Sequence, residues 1–283
     1  MSKPKLVIDQ LTFRRAGPWN KTSIKILIDS GCFDISYEEL PIKRLIGPGN
    51  NLCMSFLMLN EKIIALDIWD LAGPTSEYIK LYMKDQSIKR PDIIIKIQRS
   101  NDEKTPLWKE LSNISGIKII PWIVNPNSLF PIGFSHWSST NKYKYLCFKT
   151  GRMTRKRAKW MKILNSPETP CYTKRLPYEG YLDLVKNSTW GLILKGVAGQ
   201  HTDGKNRREY EYASCGIPQA LDYQPYYPFP HEPNKHYVYL EKPEDVIKLK
   251  DIDPAPYAQA SSELYEKYFS PVSAANLLIK LCE

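Results

Sequence analysis

The sequence predicts an α/β protein built from two units, each with a parallel sheet. Short apolar runs rich in β-branched residues alternate with helical segments, which is typical of parallel strands joined by crossover helices. A chain of 283 residues can bury two modest cores, and its hydrophobic content of 42% is that of a globular protein. Residues 125–140 are rich in Pro, Asn, Gly and Ser, so they are predicted to connect a first unit over 1–140 to a second over 141–270.

Five apolar runs in the first unit are predicted to be strands. Their Ile, Leu and Val residues favour an extended backbone. The runs are Leu6–Asp9, Ser23–Asp29, Glu61–Asp67, Asp92–Ile97 and Gly116–Val124. Pro74 suits the first turn of a helix, so residues 74–83 are predicted to be helical.

The second unit repeats this alternation. Its predicted strands are 144–148, 170–176, 190–194, 217–221 and 236–240, and its predicted helices are 153–164, 178–187, one beginning near Lys205, 243–249 and 255–269. A last helix is predicted after this unit, at 272–282. The proline-rich segment 222–233 is predicted to be a loop that could cover a pocket. Its aromatic rings either stack on a sugar or base or pack the loop itself. These rings are Tyr223, Tyr226, Tyr227 and Phe229.

Charge and composition narrow the classes of partner. The formal net charge of +10 favours anionic partners such as nucleic acid, acidic lipid or nucleotide phosphates. No apolar run approaches the roughly 20 residues that span a bilayer, and the N-terminus has no signal-peptide core. The six cysteines form no Cys-x-x-Cys pair, which favours a reducing compartment. We therefore expect a cytoplasmic protein without a membrane span.

One segment of the second unit carries the clearest functional pattern. An apolar strand at Trp190–Leu194 leads into a polar stretch with Gly196, Gly199 and Gly204, and then into the helix near Lys205. A glycine-rich loop before a helix offers unpaired backbone N–H groups and the positive end of the helix dipole. Both features favour a phosphate, so the segment predicts a diphosphate site.

Two charged residues of that helix extend the prediction to a nucleotide sugar. Arg208 and Glu211 are three positions apart and share one helix face. Arginine is a forked donor for a diphosphate, and glutamate can accept hydrogen bonds from a ribose diol. Arg207, about 100° away around the helix, is the alternative phosphate ligand, and His201 lies in the loop. The competing interpretation of Arg208 and Glu211 is an exposed ion pair, worth only about 0.2–0.5 kcal/mol.

Around this segment, residues 144–250 resemble the nucleotide-binding half of the exostosin-like glycosyltransferases. The matching order is Tyr181-Leu-Asp-Leu-Val-Lys-Asn-Ser-Thr-Trp-Gly-Leu-Ile-Leu-Lys-Gly196, Arg208-x-x-Glu211, Gly216-Ile-Pro218, Asp222 and Pro228-Phe229. Upstream, Phe148-Lys-Thr-Gly151-Arg152 with Arg155 resembles the opening strand and loop of that family. The resemblance depends on several elements that agree in order and spacing.

The resemblance implies a GT-B-like fold, in which two Rossmann-like domains with parallel sheets face each other across a cleft. It implies that a C-terminal helix at 271–283 packs back toward the first domain. It also implies sugar transfer from a UDP-sugar, with inversion and with no required metal or other cofactor. The chain is similar as well to the small glycosyltransferases with which large algal viruses (chloroviruses) build capsid glycans. That similarity implies xylose as the donor sugar, a glycan or glycoprotein acceptor, and the host cytoplasm.

The loop after the first strand of the second unit adds basic candidates. Through the resemblance, Gly151, Arg152 and Arg155 are expected to face the donor diphosphate. The alternative is that the basic run 151–162 is a solvated helix face. The later arginine and lysines of this run are expected on the surface.

The implied inverting transfer needs a general base that takes the proton of the acceptor hydroxyl. Asp67 and Asp70 follow an apolar strand, and ligands of open α/β sheets bind at the carboxyl ends of strands. We expect Asp70 to be the base, then Asp67, with Asp9, Asp29 and His136 as further candidates. The alternative for each aspartate is a turn or helix cap.

Other classes of function fit the sequence less well. Asp251-Ile-Asp253 matches the D-x-D of metal-dependent transferases, but its position between a helix and Pro254 predicts a capped turn, and no metal site is expected. A basic nucleic-acid-binding module is the main alternative, although the sequence has no recognised binding motif of that kind. A different nucleotide enzyme is disfavoured because no Gly-x-Gly-x-x-Gly follows the first strand.

Overall fold

The computed structural model describes residues 2–15, 18–44, 54–67, 85, 87, 89–96, 118–121, 143–147, 155–164, 171–172, 176–194, 207–224 and 229–283. The described elements fall into two compact units. The first unit holds the elements up to residue 121 together with the C-terminal helix, and the second holds the elements from 143 to 269. Within the described ranges, every helix is too short or too polar to cross a membrane.

The first unit is built on a mostly parallel sheet. Its described strands are β1 (Lys5–Asp9), β2 (Asp34–Glu38), β3 (Ser55–Leu59), β4 (Lys62–Asp67), β5 (Ile93–Lys96) and β6 (Lys118–Pro121), in the order β2-β1-β3-β4-β5-β6. β3 runs antiparallel to both of its neighbours, and the other pairs are parallel. The strands predicted at 6–9, 61–67, 92–97 and 116–124 are confirmed.

β3 is the strand of this sheet that departs from the predicted parallel arrangement. Asn60 and Glu61 have positive φ angles of 50° and 64°, as both central residues of a tight hairpin turn require. The turn reverses the chain, and β3 pairs with β1 on one side and β4 on the other. A two-residue turn can join only antiparallel strands, so this one strand is the exception in the parallel sheet predicted for this unit.

A second correction concerns residues 23–29, which were predicted to be a strand. They form the second half of helix α2 (Pro18–Asp29), which follows α1 (Gln10–Arg15). Ile24 and Leu27 are both fully buried, and a spacing of three residues places them on one helix face. Seven residues are too few for the apolar pattern to separate strand from helix, and Pro18 at the first helical position favours the helix. The C-terminal helix α7 (Pro271–Cys282) packs against α2.

In the second unit all described strand pairs are parallel. The strands are β7 (Tyr143–Cys147), β8 (Cys171–Tyr172), β9 (Ser188–Ile193), β10 (Gln219–Leu221) and β11 (Val238–Tyr239), in the order β11-β10-β9-β7-β8. The helices are α3 (Arg155–Leu164), α4 (Tyr178–Lys186), α5 (Arg207–Ser214), a 3-10 helix at Pro243–Asp251 and α6 (Ala255–Leu264), followed by a π-helical turn at Tyr265–Phe269. The predicted elements are confirmed, although β10 and β11 are shorter than expected and a π-helical turn ends the helix predicted over 255–269.

Helices cover both faces of this second sheet. One core cluster joins Trp160 of α3 to Leu192 of β9, and another joins Val185 of α4 and Tyr212 of α5 to Ile193 of β9. Neighbouring residues of a strand point to opposite faces. Helix α3 therefore lies on one face, and α4 and α5 lie on the other.

The predicted α/β class is confirmed by these two units. The helix predicted at 74–83 lies outside the described residues, as does the connector predicted at 125–140.

Candidate functional site

The strand order of the second sheet contains a switch point between β7 and β9. From β7 the chain continues to α3 on one face of the sheet, and from β9 it continues to α5 on the other. Open parallel sheets bind ligands at the carboxyl ends of the strands at such a point, because the two connecting loops diverge there. Five predicted ligands belong to the segments that follow these two strands in the sequence, and they lie outside the described residues: Gly151, Arg152, Gly196, Gly199 and His201.

Helix α5 begins at Arg207. It stops at Cys215 and Gly216, and Gly216 has the positive φ of 64° that commonly terminates a helix. Arg208 is 7% exposed and Glu211 is 2% exposed. The interpretation of this pair as an exposed surface ion pair is therefore wrong. Arg207 is the first residue of the helix, and its side chain lies outside the described part of the chain.

Glu211 is joined to helix α4 by a hydrogen bond. The hydroxyl of Tyr181 donates to Glu211 Oε2 over 2.5 Å. Burial, with the nearby Tyr212 and Glu211 adding to it, raises the pKa of Tyr181 well above its ordinary value, so the hydroxyl keeps its proton at neutral pH. The guanidinium of Arg208 acts in the opposite direction on the same pKa.

The role of Tyr181 beside Glu211 was not predictable from the sequence. Its place in the first turn of α4 could have been read from the helix prediction, but nothing in its own sequence neighbourhood points to Glu211. The two residues are 30 positions apart. Their contact arises only because α4 and α5 cover the same face of the sheet.

A second glutamate of α5 has a structural partner. Glu209 is fully buried, and one of its carboxylate oxygens accepts a hydrogen bond from the hydroxyl of Tyr223. The ring of Phe229 stacks on Tyr268 with a centroid separation of 3.8 Å. For Tyr223 and Phe229 the structure therefore shows packing of the loop. Tyr226 and Tyr227 lie outside the described residues.

On the other face of the sheet, α3 presents two arginines in different environments. Arg155 is exposed. Arg157 is half-buried, and its Nη2 lies 3.5 Å from the backbone oxygen of Leu194, at the end of β9. It precedes Trp160 and Leu164 at i+3 and i+7, so it occupies the sheet-facing stripe of the helix. The expectation that the later arginine of this run is on the surface is therefore wrong. Its position at the start of an otherwise apolar helix stripe was the sequence signal that could have predicted its half-buried place.

In the first unit, Asp67 is the last residue of β4 and is fully buried. Asp70 and His136 lie outside the described residues. Asp29 is at the end of α2, where it pairs with Lys25 at 2.8 Å, and it does not follow a strand.

Asp9, another candidate base, has both carboxylate oxygens engaged. Arg44 donates to them from Nε over 2.8 Å and from Nη2 over 2.5 Å. The backbone N–H of Leu40 and that of Thr12 donate over 3.0 Å each, and the latter contact caps α1. Burial opposes ionisation, but these donors outweigh it and lower the pKa of Asp9. Such a group stabilises the fold and is poorly suited to accept a proton.

The D-x-D sequence forms the predicted capped turn. Asp251 is the last residue of the 3-10 helix, and Asp253 Oδ1 accepts a hydrogen bond from the backbone N–H of Ala255 over 3.0 Å, at the start of α6. Among the described residues, no three His, Cys, Asp or Glu side chains cluster as metal ligands would.

Comparison with known proteins finds a likeness among solved structures only. No protein-family model and no curated protein matches the chain. The chain is similar to the crystal structure of a GtfA/B complex, with 11% identity, a TM-score of 0.44, and coverage of 84% of this chain and 67% of that chain. It is also similar to T4 phage BGT, crystallised in complex with its UDP-glucose substrate, with 11% identity, a TM-score of 0.45, and coverage of 93% of each chain.

Proposed function

We propose that the chain is a glycosyltransferase that moves a sugar from a nucleoside diphosphate sugar to a hydroxyl of a glycan or glycoprotein. The observation that carries the proposal is the switch point of the second sheet. It has Arg157 on one face and the buried Arg208 and Glu211 on the other, where the half-buried Tyr181 donates to Glu211. Buried charged side chains that converge at the carboxyl end of a sheet are typical of functional sites, and the arginines among them suit an anionic ligand.

The donor diphosphate is proposed to lie at the N-terminal end of α5. There Arg208 supplies a forked cation, with Arg207 as its alternative, and the helix adds unpaired N–H groups. Backbone of the loop after β9 and side chains of the loop after β7 complete the phosphate ligands. The proposed residues of these loops, with the adjoining helix start, are Gly196, Gly199, His201, Gly151, Arg152 and Arg155.

These contacts would accelerate transfer through the leaving group. As the bond to the sugar breaks, negative charge grows on the diphosphate, and fixed cations and N–H dipoles stabilise that charge more in the transition state than in the ground state. Glu211 is proposed to accept hydrogen bonds from the ribose hydroxyls. It would orient the nucleotide and would take no part in the transfer of the sugar.

The base is proposed to be Asp70, with Asp67 as the alternative. A general base must touch the acceptor hydroxyl. Asp67 is fully buried, which favours Asp70. Attack by the deprotonated hydroxyl on the face opposite the diphosphate would invert the configuration at the anomeric carbon.

UDP is the proposed nucleotide and xylose the proposed sugar, with no metal required. These finer assignments are supported by the resemblance of the sequence to exostosin-like enzymes and to the glycosyltransferases of large algal viruses. The proposed setting is therefore the synthesis of a viral surface glycan in the host cytoplasm.

A thermal-shift panel of nucleotide sugars tests the proposal. A ligand at one hundred times its Kd stabilises the folded protein by about 2.7 kcal/mol, which raises the melting temperature measurably. UDP and UDP-xylose are expected to produce this rise with a chelator present, and GDP-mannose serves as the control donor. Arg208→Met should lose the shift, whereas Lys280→Met, a change in the C-terminal helix of the first unit, should keep it.

The main alternative function is a nucleic-acid-binding module, and one experimental outcome would favour it. The exposed face of α3 carries Arg155, Lys159 and Lys162 at helical spacing, which is a possible footprint for nucleic acid. Salt-sensitive binding of DNA or RNA, together with no shift from any sugar nucleotide, would contradict the transferase and favour a nucleic-acid-binding module.

A further inference from the structure

Helices α4 and α5 bring a tyrosine and a glutamate together near the carboxyl ends of the strands. Both helices enter a parallel strand at their C-terminal ends, so both begin at the carboxyl edge of the sheet. Tyr181 lies three residues into α4 and Glu211 lies four residues into α5. At about 1.5 Å per residue, each is within about 6 Å of the helix start along its axis. The contact is therefore close to the proposed nucleotide.

The hydrogen bond fixes the carboxylate of Glu211. A glutamate has three side-chain torsions, and a useful orientation toward a ribose diol requires that they are restrained. Tyr181 donates to Oε2 over 2.5 Å, and hydrogen bonds to a charged acceptor are the stronger kind. Tyr181 has to keep its proton to donate, and its burial favours the protonated form.

We infer that Tyr181 is a positioning residue: it holds the carboxylate of Glu211 in the orientation that accepts the ribose hydroxyls, and it thereby makes the site selective for ribonucleotide over deoxyribonucleotide donors. This inference rests on the proposed nucleotide site. It adds a residue, and a discrimination between two classes of ligand, to that site.

A purely structural tie between two helices is the competing explanation, and the chain offers a matched control for it. Tyr223 donates a hydrogen bond to Glu209, which is on the same helix two positions before Glu211. Tyr223→Phe therefore removes the same kind of bond from α5. Its partner carboxylate is fully buried and has no proposed role in binding.

The test measures calorimetric Kd values for UDP and 2′-deoxy-UDP on the wild type, Tyr181→Phe and Tyr223→Phe. The wild type should prefer UDP by about tenfold, which corresponds to hydrogen bonds to one charged group. Tyr181→Phe should weaken UDP by about the same factor and leave 2′-deoxy-UDP nearly unchanged, so that the preference disappears. Tyr223→Phe should keep the wild-type preference, even if its melting temperature falls.

Two further variants, Glu211→Gln and its combination with Tyr181→Phe, test whether both residues act through the same contact. Glu211→Gln should lose the preference as Tyr181→Phe does, and the double variant should lose no more, since both act on one contact. A Tyr181→Phe protein that keeps the full preference would overturn the inference, and so would a wild type that binds both nucleotides equally. A wild type that binds neither nucleotide would instead overturn the proposed function itself. If Tyr181→Phe does not fold, Glu211→Gln and the wild-type preference decide the question.

Discussion

The ring of Tyr212 in α5 packs directly against Gly191 in β9. A Cβ atom added at Gly191 would lie 2.3 Å from Cδ2 of Tyr212, closer than real Cβ contacts come. Glycine therefore allows α5 to approach β9 more closely than any other residue would permit. The same approach places Arg208 and Glu211, one turn before and one residue before Tyr212, beside the carboxyl edge of the sheet.

We expect Gly191→Ala to destabilise the protein by about 1–3 kcal/mol, because the added methyl group overpacks a filled core. Urea unfolding measures this change. Gly180→Ala in α4 is the matched control: its Cβ would meet Leu176 at 3.8 Å, an ordinary contact, and alanine is the better helix former. Equal stability of the Gly191→Ala protein and the wild type would contradict the close packing.

The ion pair between Asp9 and Arg44 predicts a loss of stability in acid. The pKa of Asp9 is lowered from its ordinary value of 3.8, so the unfolded chain takes up this proton at a higher pH than the folded chain. The contribution is complete above the unfolded pKa, and it is lost as the pH falls through the lower, folded pKa. Urea unfolding between pH 7 and pH 2 should show the decline.

Asp9→Asn should remove that part of the acid dependence and destabilise the protein at neutral pH by up to about 3 kcal/mol, because it removes the close carboxylate partner of a largely buried guanidinium and leaves it with Glu39 at 3.8 Å. Glu38→Gln is the control, since its pair with Lys5 is exposed. An Asp9→Asn protein as stable as the wild type at neutral pH would show that the pair contributes little.

Glu211→Ala is expected to weaken UDP binding by about tenfold or more, because a charged acceptor for the ribose is removed. Isothermal calorimetry measures the effect, and circular dichroism checks that the protein is folded. Glu263→Ala removes an exposed glutamate whose partner is Gln259 on the same helix, and it should leave the Kd unchanged. Unaltered UDP affinity in the Glu211→Ala protein would argue against this ligand.

Arg157→Met should reduce UDP affinity by about fivefold to tenfold, since it removes a charge from the switch point while keeping the apolar stem of the side chain. Arg157→Lys should recover part of this loss. Lys162→Met changes an exposed residue in the last turn of the same helix and should have no effect. The assignment fails if the Arg157 and Lys162 variants bind UDP alike.

Asp70→Asn should lower kcat for sugar transfer by about a hundredfold or more and leave the Kd for UDP unchanged, because a general base acts on the acceptor only. Asp67→Asn, measured in parallel, separates the two candidates. Transfer that is lost in the Asp67 variant and retained in the Asp70 variant would reverse the assignment.

Several helices and strands were predictable from the sequence because neighbouring residues specify them. The strand at 188–193 and the helix at 207–214, with the stop at Gly216, are confirmed within a few residues. The strand prediction for residues 23–29 was wrong because a short apolar run fits the periods of both a strand and a helix. The chain from Pro18 onward forms a helix that includes these residues. β3 was missed because its pairing depends on a turn whose residues, Asn60 and Glu61, are not the usual Asn-Gly pair.

By itself, the sequence determined the α/β class of this chain, the alternation of its strands and helices, and the segment in which a phosphate is expected. Those properties follow from apolar periodicity, glycines and helix boundaries, which neighbouring residues set among themselves. Only the tertiary structure decided three contacts: Tyr181 donates to Glu211, Arg157 donates to the backbone oxygen of Leu194, and Arg44 forms an ion pair with Asp9. These residues are 30 to 37 positions apart, and the packing of whole helices and strands, which no local pattern records, brings them together.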